Sequence, residues 1–356
     1  MHPFLTSNSI LMAVLLLCGA ALAAPSASAG DGGAPLRRLA ERLDLHFGAA
    51  ITPRHLDADV RYGAILAREF NSLTPENAMK FGPLAPEEGR YDFREADRIM
   101  KFARTHGMTV RGHTLVWHNQ TPAWVDEASL TPEELKRVLR RHIQTVAGRY
   151  RGEIRAWDVV NEAFNDDGSL RDTIWLRALG PDYIAMAFRW AHQAAPDARL
   201  YYNDYSAEAV NPKSDAIYAM VRSLLAEGVP IHGVGLQMHL VLGSSPSPKS
   251  IADNMSRFAE LGIDIAVTEM DVRIPKPVTS EKLQEQARTY AAILDTVLEE
   301  PACNELTLWG FTDRHSWIPG WFPETDEALI FDRGLEPKPA YYALRDRLQP
   351  DDAESP

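Results

Sequence analysis

The sequence predicts an α/β protein, a single-domain (β/α)8 barrel with its cleft at the C-terminal ends of the strands. Three observations predict it. Short apolar runs alternate with longer segments whose apolar residues fall every three or four positions, and the unit recurs eight times. The alternation continues from Leu36 to Leu348 without a linker, low-complexity tract or charge block. Polar and aromatic residues gather just past the apolar runs, where a barrel brings its strand ends together on one face. Repeated strand–helix units imply parallel strands with right-handed crossovers. The rival, an open doubly wound sheet, would carry a Gly-rich turn after its first strand, and His46–Thr52 has no G-x-G-x-x-G after it.

The elements follow in order. His46–Ile51 and Phe70–Thr74 read as the first two strands. The helix Ala96–Arg104 stops before Gly107, and Thr109–Leu115 is the third strand. Thr131-Pro132-Glu133-Glu134 opens the helix Pro132–Tyr150 with an N-cap, a proline at N1 and acids in the first turn. The fourth strand, Ile154–Val160, contains Trp157, and the helix Tyr183–Gln193 contains Trp190; both indoles are expected in the core. Asn165-Asp166-Asp167-Gly168 reads as a turn, because it lacks the spaced ligands and closing Glu of a calcium loop. Strands Arg199–Asn203, His232–Gln237 and Asp264–Thr268 are followed by helices Ser214–Glu227, Ser250–Leu261 and Ser280–Leu298, with Gly228 and Gly262 as stops. Glu305–Gly310 is the eighth strand.

Composition narrows the function. The chain has 356 residues, 37 Lys+Arg against 49 Asp+Glu, and a formal charge of −12. An acidic protein of this kind is not expected to bind nucleic acid or an anionic membrane, since both reward basic patches. The two cysteines, Cys18 and Cys303, exclude a disulfide scaffold and a cysteine-based zinc site. The apolar stretch Ile10–Leu22 followed by Ala21-Leu22-Ala23 reads as a secretory signal peptide, residues 1–24, although no Lys or Arg precedes it. The expected organisation is then a leader at 25–35, the barrel at 36–348 and a tail at 349–356. The expected location is outside the cell or in the periplasm, with no membrane contact after cleavage.

The chemistry rests on two acids. Glu162 (WDVVNE) and Glu269 (AVTEMD) each follow directly on an apolar strand, which puts them at the rim of the core. Two carboxyls facing one another across a cleft can cleave a glycosidic bond: one protonated to donate to the leaving oxygen, the other ionised to attack carbon or activate water. Trp117, Trp309, Trp317, Trp321 and Tyr205 lie past strand ends, and indole faces suit the apolar faces of pyranose rings. Other polar clusters on the same face are Glu76-Asn77 and Lys80, Asn203-Asp204, and Asp313. His113, His118 and His239 share that face, but their H-x4-H spacing is not that of a zinc site, so neither metal nor cofactor is expected. No nucleophile elbow or phosphate-binding loop is present.

The segments TPENAMK (74–80), GHTLVWHNQTPAW (112–124), WDVVNEAF (157–164), YNDY (202–205), GVGLQMH (233–239), VTEMD (267–271) and WGFTDRHSW (309–317) together resemble glycoside hydrolase family 10, the retaining endo-1,4-β-xylanases. The resemblance covers Leu36 to Leu348 and implies a (β/α)8 TIM barrel. It also implies Glu162 as acid/base and Glu269 as nucleophile. His239 would bond the nucleophile, Asp271 would orient His239, Asn161 would hold the sugar 2-hydroxyl, and Gln237 would sit beside the acid/base. Glu76, Asn77, Lys80, His113, Trp117 and Gln120 would line the non-reducing-side subsites, Trp309 and Trp317 would cover the sugar, and Tyr205 would stack under the leaving group. The expected partners are xylan and xylo-oligosaccharides, the expected state a monomer. Other possibilities are a β-1,4-glucanase on the same scaffold and a non-catalytic carbohydrate-binding barrel. The resemblance also makes His113–Thr114 a candidate non-proline cis peptide.

Overall fold

The computed structural model of the protein describes residues 33–349. The expected signal peptide at 1–24 lies outside the described residues, as do most of the leader and most of the tail. The strands are β1 (His46–Ile51), β2 (Ser72–Pro75), β3 (Thr109–Gly112), β4 (Ala156–Asn161), β5 (Arg199–Asp204), β6 (Gly233–Leu236), β7 (His239–Val241), β8 (Asp264–Pro275), β9 (Cys303–Leu308) and β10 (Thr325–Asp326). Strands β1 to β6, β8 and β9 pair in parallel in that order, and β9 pairs back onto β1. The expected eight-stranded closed barrel is therefore present.

Its first strand has the expected bounds, and the others agree to within a few residues except one. The seventh barrel strand, β8, continues seven residues beyond the expected end at Thr268 and reaches Pro275. The reason is extra pairing: its outer half is held by β7 on one side, in register His239↔Asp271, and by the antiparallel β10 at its end.

The helices are α1 (Leu36–Glu41), α2 (Pro53–Ala58), α3 (Val60–Glu69), α4 (Phe81–Leu84), α5 (Arg94–His106), α6 (Pro132–Arg149), α7 (Ile174–Leu179), α8 (Tyr183–Ala194), α9 (Pro212–Ala226), α10 (Pro248–Ala259), α11 (Ser280–Glu299), α12 (Ile318–Trp321) and α13 (Pro339–Leu348). The expected start of α6 is a full capping box, in which Thr131 Oγ1 accepts from the Glu134 N–H and Glu134 returns a bond to the Thr131 N–H. Gly107 ends α5 at φ 59°, in the left-handed region where a Cβ would be strained. Trp157 is fully buried and Trp190 nearly so, as expected of core indoles. Gly168, at φ 84°, closes the 165–168 turn by donating to the Asn165 carbonyl at 3.0 Å. Among the described residues no helix is long and apolar enough to cross a membrane.

The barrel interior below the cleft is charged. Arg111, fully buried, donates to Asp158 at 2.6 Å and to Glu305 at 3.0 Å, and lies 4.3 Å from the centre of the Tyr201 ring. Arg155 also pairs with Glu305. Burial alone would raise the pKa of Asp158 and Glu305; the guanidinium of Arg111, aided by His113 at Asp158 and by Arg155 at Glu305, holds both below the usual carboxylate range.

Candidate active site

Strand direction carries the expected residues to one face. A cleft of about 590 Å³ opens at the C-terminal strand ends, within the usual size of a small-molecule site. It is lined by Glu162 and Glu269 together with Glu76, Asn77, Lys80, His113, Trp117, Gln120, Asn161, Tyr205, Gln237, His239, Trp309 and Trp317. Of the residues to which the family resemblance gives a role, Asp271 alone is not on that surface. It is fully buried directly behind His239.

The two acids are held by different donors. Glu269 Oε1 accepts from Asn203 Nδ2 at 2.8 Å, and Oε2 faces His239 Nε2 at 3.2 Å. The other nitrogen of His239 meets Asp271 Oδ2 at 3.0 Å, a contact set by the strand register, and Trp317 Nε1 donates to the same oxygen at 2.8 Å. Burial disfavours charge on His239, but Asp271 and Glu269 outweigh it and push its pKa up to about 10. Both ring nitrogens then carry protons near neutrality, one for each carboxylate.

Glu162 accepts from Gln237 Nε2 at 3.0 Å and Asn161 Nδ2 at 3.1 Å on Oε1, and from Trp117 Nε1 at 2.8 Å on Oε2. Its backbone sits at φ 58°, a strained value for a residue with a side chain. Two local features maintain it. The Glu162 N–H donates to the Asn203 carbonyl at 2.9 Å, and Arg171 Nε donates to the Glu162 carbonyl at 3.0 Å. Between the two acids runs one bridge: Asn203 Nδ2 donates to Asn161 Oδ1 at 2.8 Å as well as to Glu269. The β4–β5 pairing sets Asn161 opposite Asn203 after a register shift at Asp158/Val160. At Gly235 a side chain would collide with Asn203, so the glycine makes the bridge possible.

On the opposite wall, Glu76, Asn77, Lys80 and Gln120 form one hydrogen-bonded set. Lys80 Nζ and Gln120 Nε2 both donate to Asn77 Oδ1, at 3.1 and 3.0 Å. Burial lowers the pKa of Lys80 despite the pull of Glu269, Glu76 and Glu162. Its ammonium lies 4.5 Å from the Trp117 ring centre and 5.9 Å from that of Trp309. His113 meets Asp158 at 2.9 Å, stands edge-on to Trp309, and its peptide bond to Thr114 is cis. On the remaining side, Tyr205 accepts from Arg171 at 2.9 Å, and Lys213 Nζ sits 3.6 Å from the centre of its ring.

Three residues of this set have no role legible in the sequence. Asn203 stands in the YNDY segment, yet nothing local marks it as the bridge. Arg171 and Lys213 lie in loop and helix positions without a distinctive pattern. Asp313, expected among the cleft residues, is instead buried against Lys338, 2.7 Å away. Burial raises its pKa to about 6 against the pull of that lysine. Among the described residues no group of three or more His, Cys, Asp or Glu is arranged to hold a metal ion.

Residues 35–347 match the model of glycosyl hydrolase family 10. The chain belongs to this family. The match spans the whole barrel and every residue of the cleft, so this member of family 10 is a glycoside hydrolase. It is 44 % identical over 326 residues to endo-1,4-beta-xylanase B of Thermotoga neapolitana, covering 90 % of this chain and 94 % of the relative. The crystal structure of native xylanase 10B from Thermotoga maritima superimposes with a TM-score of 0.86 at 46 % identity, covering 88 % and 98 % of the two chains. Xylanase 10B from Thermotoga petrophila, solved in complex with xylobiose, gives 0.87 at 44 % identity, covering 90 % and 98 %.

Proposed function

We propose that this family 10 member is a secreted, monomeric, retaining endo-1,4-β-xylanase with Glu269 as nucleophile and Glu162 as acid/base. The names of its relatives support xylan as substrate, and the xylobiose held by the Thermotoga petrophila enzyme supports xylo-oligosaccharide binding. The apolar stretch at residues 10–22 supports secretion.

The observation that carries the mechanism is the Asn161–Asn203 bridge, which ties the two carboxyls into one hydrogen-bonded frame from opposite sides of the cleft. In the first step Glu269 attacks the anomeric carbon, and Glu162 gives its proton to the departing glycosidic oxygen. A cationic His239 donates a hydrogen bond to Glu269, and Asp271 keeps His239 in place. Asn161 is positioned to bond the sugar 2-hydroxyl, where a hydrogen bond strengthens in the transition state. In the second step Glu162, now a carboxylate held by Trp117, Gln237 and Asn161, takes a proton from water, whose oxygen displaces Glu269. Lys80, Glu76, Asn77, Gln120 and His113 bind the non-reducing-side sugars, Trp309 and Trp317 cover the sugar at the point of cleavage, and Tyr205 carries the leaving group.

Rates on xylan and carboxymethyl-cellulose, with NMR of the first-formed anomer, test this reading. Faster turnover of xylan with the β-anomer appearing first is expected. A preference for the cellulose derivative would make the enzyme a glucanase, the α-anomer first would make it inverting, and binding without turnover would leave a carbohydrate-binding barrel.

A further inference from the structure

Four buried carboxylates of the barrel are each set against a buried cation: Asp158 and Glu305 against Arg111, Asp204 against Lys213, and Asp313 against Lys338. Glu208, which is 5 % exposed, is used differently. It lies between β5 and α9, and its Oε1 accepts from the backbone N–H of Met238 at 3.0 Å. Burial raises its pKa, while its own N–H, that of Met238 and nearby His239 favour its charge.

What this bond holds is a strained turn. Met238 is fully buried and sits at φ 66°, in the left-handed region that a residue with a long side chain rarely occupies. Such a conformation persists only where its surroundings enforce it. The strand pairings show why it is needed. Leu236 stands opposite Val267 and His239 opposite Asp271, so three steps on one side match four on β8, with Glu269 inside the longer stretch. The chain bends at Met238 to take up the difference, and its N–H leaves the sheet for Glu208. Without that acceptor the bend would bury an unpaired donor.

The two neighbours of Met238 serve different acids. Gln237 Nε2 donates to Glu162 Oε1 at 3.0 Å, and His239 Nε2 faces Glu269 Oε2 at 3.2 Å. The dihedrals of the one residue between them set the angle between these two side chains. Glu208 is in turn fixed from behind. Asn254, fully buried on α10, donates from Nδ2 to the carbonyls of Ala207 at 2.8 Å and Glu208 at 3.1 Å. Arg257 Nε donates to the Asn254 side-chain oxygen at 2.8 Å.

We infer that Glu208 is a positioning residue for both catalytic acids: by accepting the Met238 N–H it holds the turn that aims Gln237 at Glu162 and His239 at Glu269. Glu208 does not itself line the cleft, and the inference rests on the roles proposed above for the two acids. The test is steady-state kinetics of E208L, E208D and E208Q on a linear xylo-oligosaccharide and on an aryl xylobioside with a good leaving group. Rates are taken per active site, counted by the burst of leaving group from a 2-deoxy-2-fluoro xylobioside, and melting temperatures are followed in parallel. Leucine removes the acceptor, aspartate keeps the charge but draws the acceptor back by one methylene, and glutamine keeps the reach without the charge. In E208L kcat should fall about 10- to 100-fold on both substrates, the cost of displacing reacting groups by about an ångström, with KM within about twofold. E208D should lose about tenfold and E208Q less than about threefold. If E208L does not fold, E208D against E208Q decides. An unchanged kcat per active site in E208D, with only the melting temperature lowered, makes Glu208 merely structural and overturns the proposal. A loss in E208Q as large as in E208D assigns the effect to charge near His239 and overturns it too. So does a loss confined to the oligosaccharide, which touches proton donation by Glu162 alone. Wild type separates this inference from the reading beneath it: no turnover of the linear xylo-oligosaccharide overturns the xylanase reading first, and this inference with it.

Discussion

Two clusters of charge occupy the same barrel, one layer apart, and they are built in opposite ways. In the lower layer Arg111 and Arg155 face Asp158 and Glu305, two cations to two carboxylates, with Arg111, Asp158 and Glu305 fully buried. In the upper layer Glu76, Glu162, Glu269 and Asp271 face Lys80 and His239, and carboxylates are in excess beside an open cleft. A sealed, balanced cluster does no chemistry, but its loss would leave buried charge uncompensated. An open, unbalanced one stores proton affinity for a substrate. His113 joins the two layers, since Nδ1 lies 2.9 Å from Asp158 and 3.9 Å from Glu269. The strand ends of a barrel are thus free for function because the layer beneath them carries the stability.

The comparison breaks first at the two acids of the upper layer. E269A should lower turnover of xylan by at least roughly 10⁴-fold, the scale on which an essential group of a catalytic set acts, while its melting temperature is unchanged or raised. Azide should then restore an inverted glycosyl product; ordinary activity in E269A would show that the nucleophile lies elsewhere. E162A should slow xylan by about 10² to 10⁴-fold, the usual contribution of a general acid, and an aryl xyloside with a good leaving group far less. Equal losses on the two substrates would mean that Glu162 does not donate the proton.

The reverse pattern should follow in the lower layer. R111M strands Asp158 and half of the Glu305 pairing, and should cost about 3–5 kcal/mol in urea unfolding, with kcat of the folded enzyme much less affected than in E269A. Unfolding at the wild-type urea concentration would show that the network carries no stability.

His239 sharpens the contrast through pH. Its folded pKa, about 10, exceeds the unfolded value of about 6.5. Its contribution to stability is therefore fully present below about pH 6.5 and is lost as pH rises through about 10. The imidazole signals of His239 should remain those of the cation through pH 8; release of the proton near 6.5 would remove its role as a charged partner of Glu269. The smallest effect belongs outside both clusters. T131A removes the cap of α6 and should cost about 1 kcal/mol of stability with unchanged kcat/KM.

How much of this was legible in the sequence differs between the layers. The upper layer was, because strand-end residues such as Glu162, His239 and Glu269 break the apolar pattern where a barrel strand ends. The lower layer was not. Arg111 and Asp158 sit inside strands that read as core, and only the closed sheet makes them meet Glu305, 194 positions from Arg111. Asp313 has the local look of a cleft residue, and its partner Lys338 comes from a segment with no strand or helix signal. The end of β8 lies beyond Thr268 because Asp271 to Pro275 is held by pairing with β7 and β10, which no local pattern reveals. The Asn161–Asn203 bridge escaped for the same reason: it depends on the register of two strands and on the space left at Gly235.

The most direct test of the central claim is to trap the intermediate. A 2-deoxy-2-fluoro xylobioside with a good leaving group should inactivate the enzyme with a mass increase of one glycosyl unit. Peptide mapping should place the label on Glu269, and a following chase with xylobiose should restore activity. A label on Glu162, or steady turnover without any glycosyl-enzyme, would contradict double displacement through Glu269.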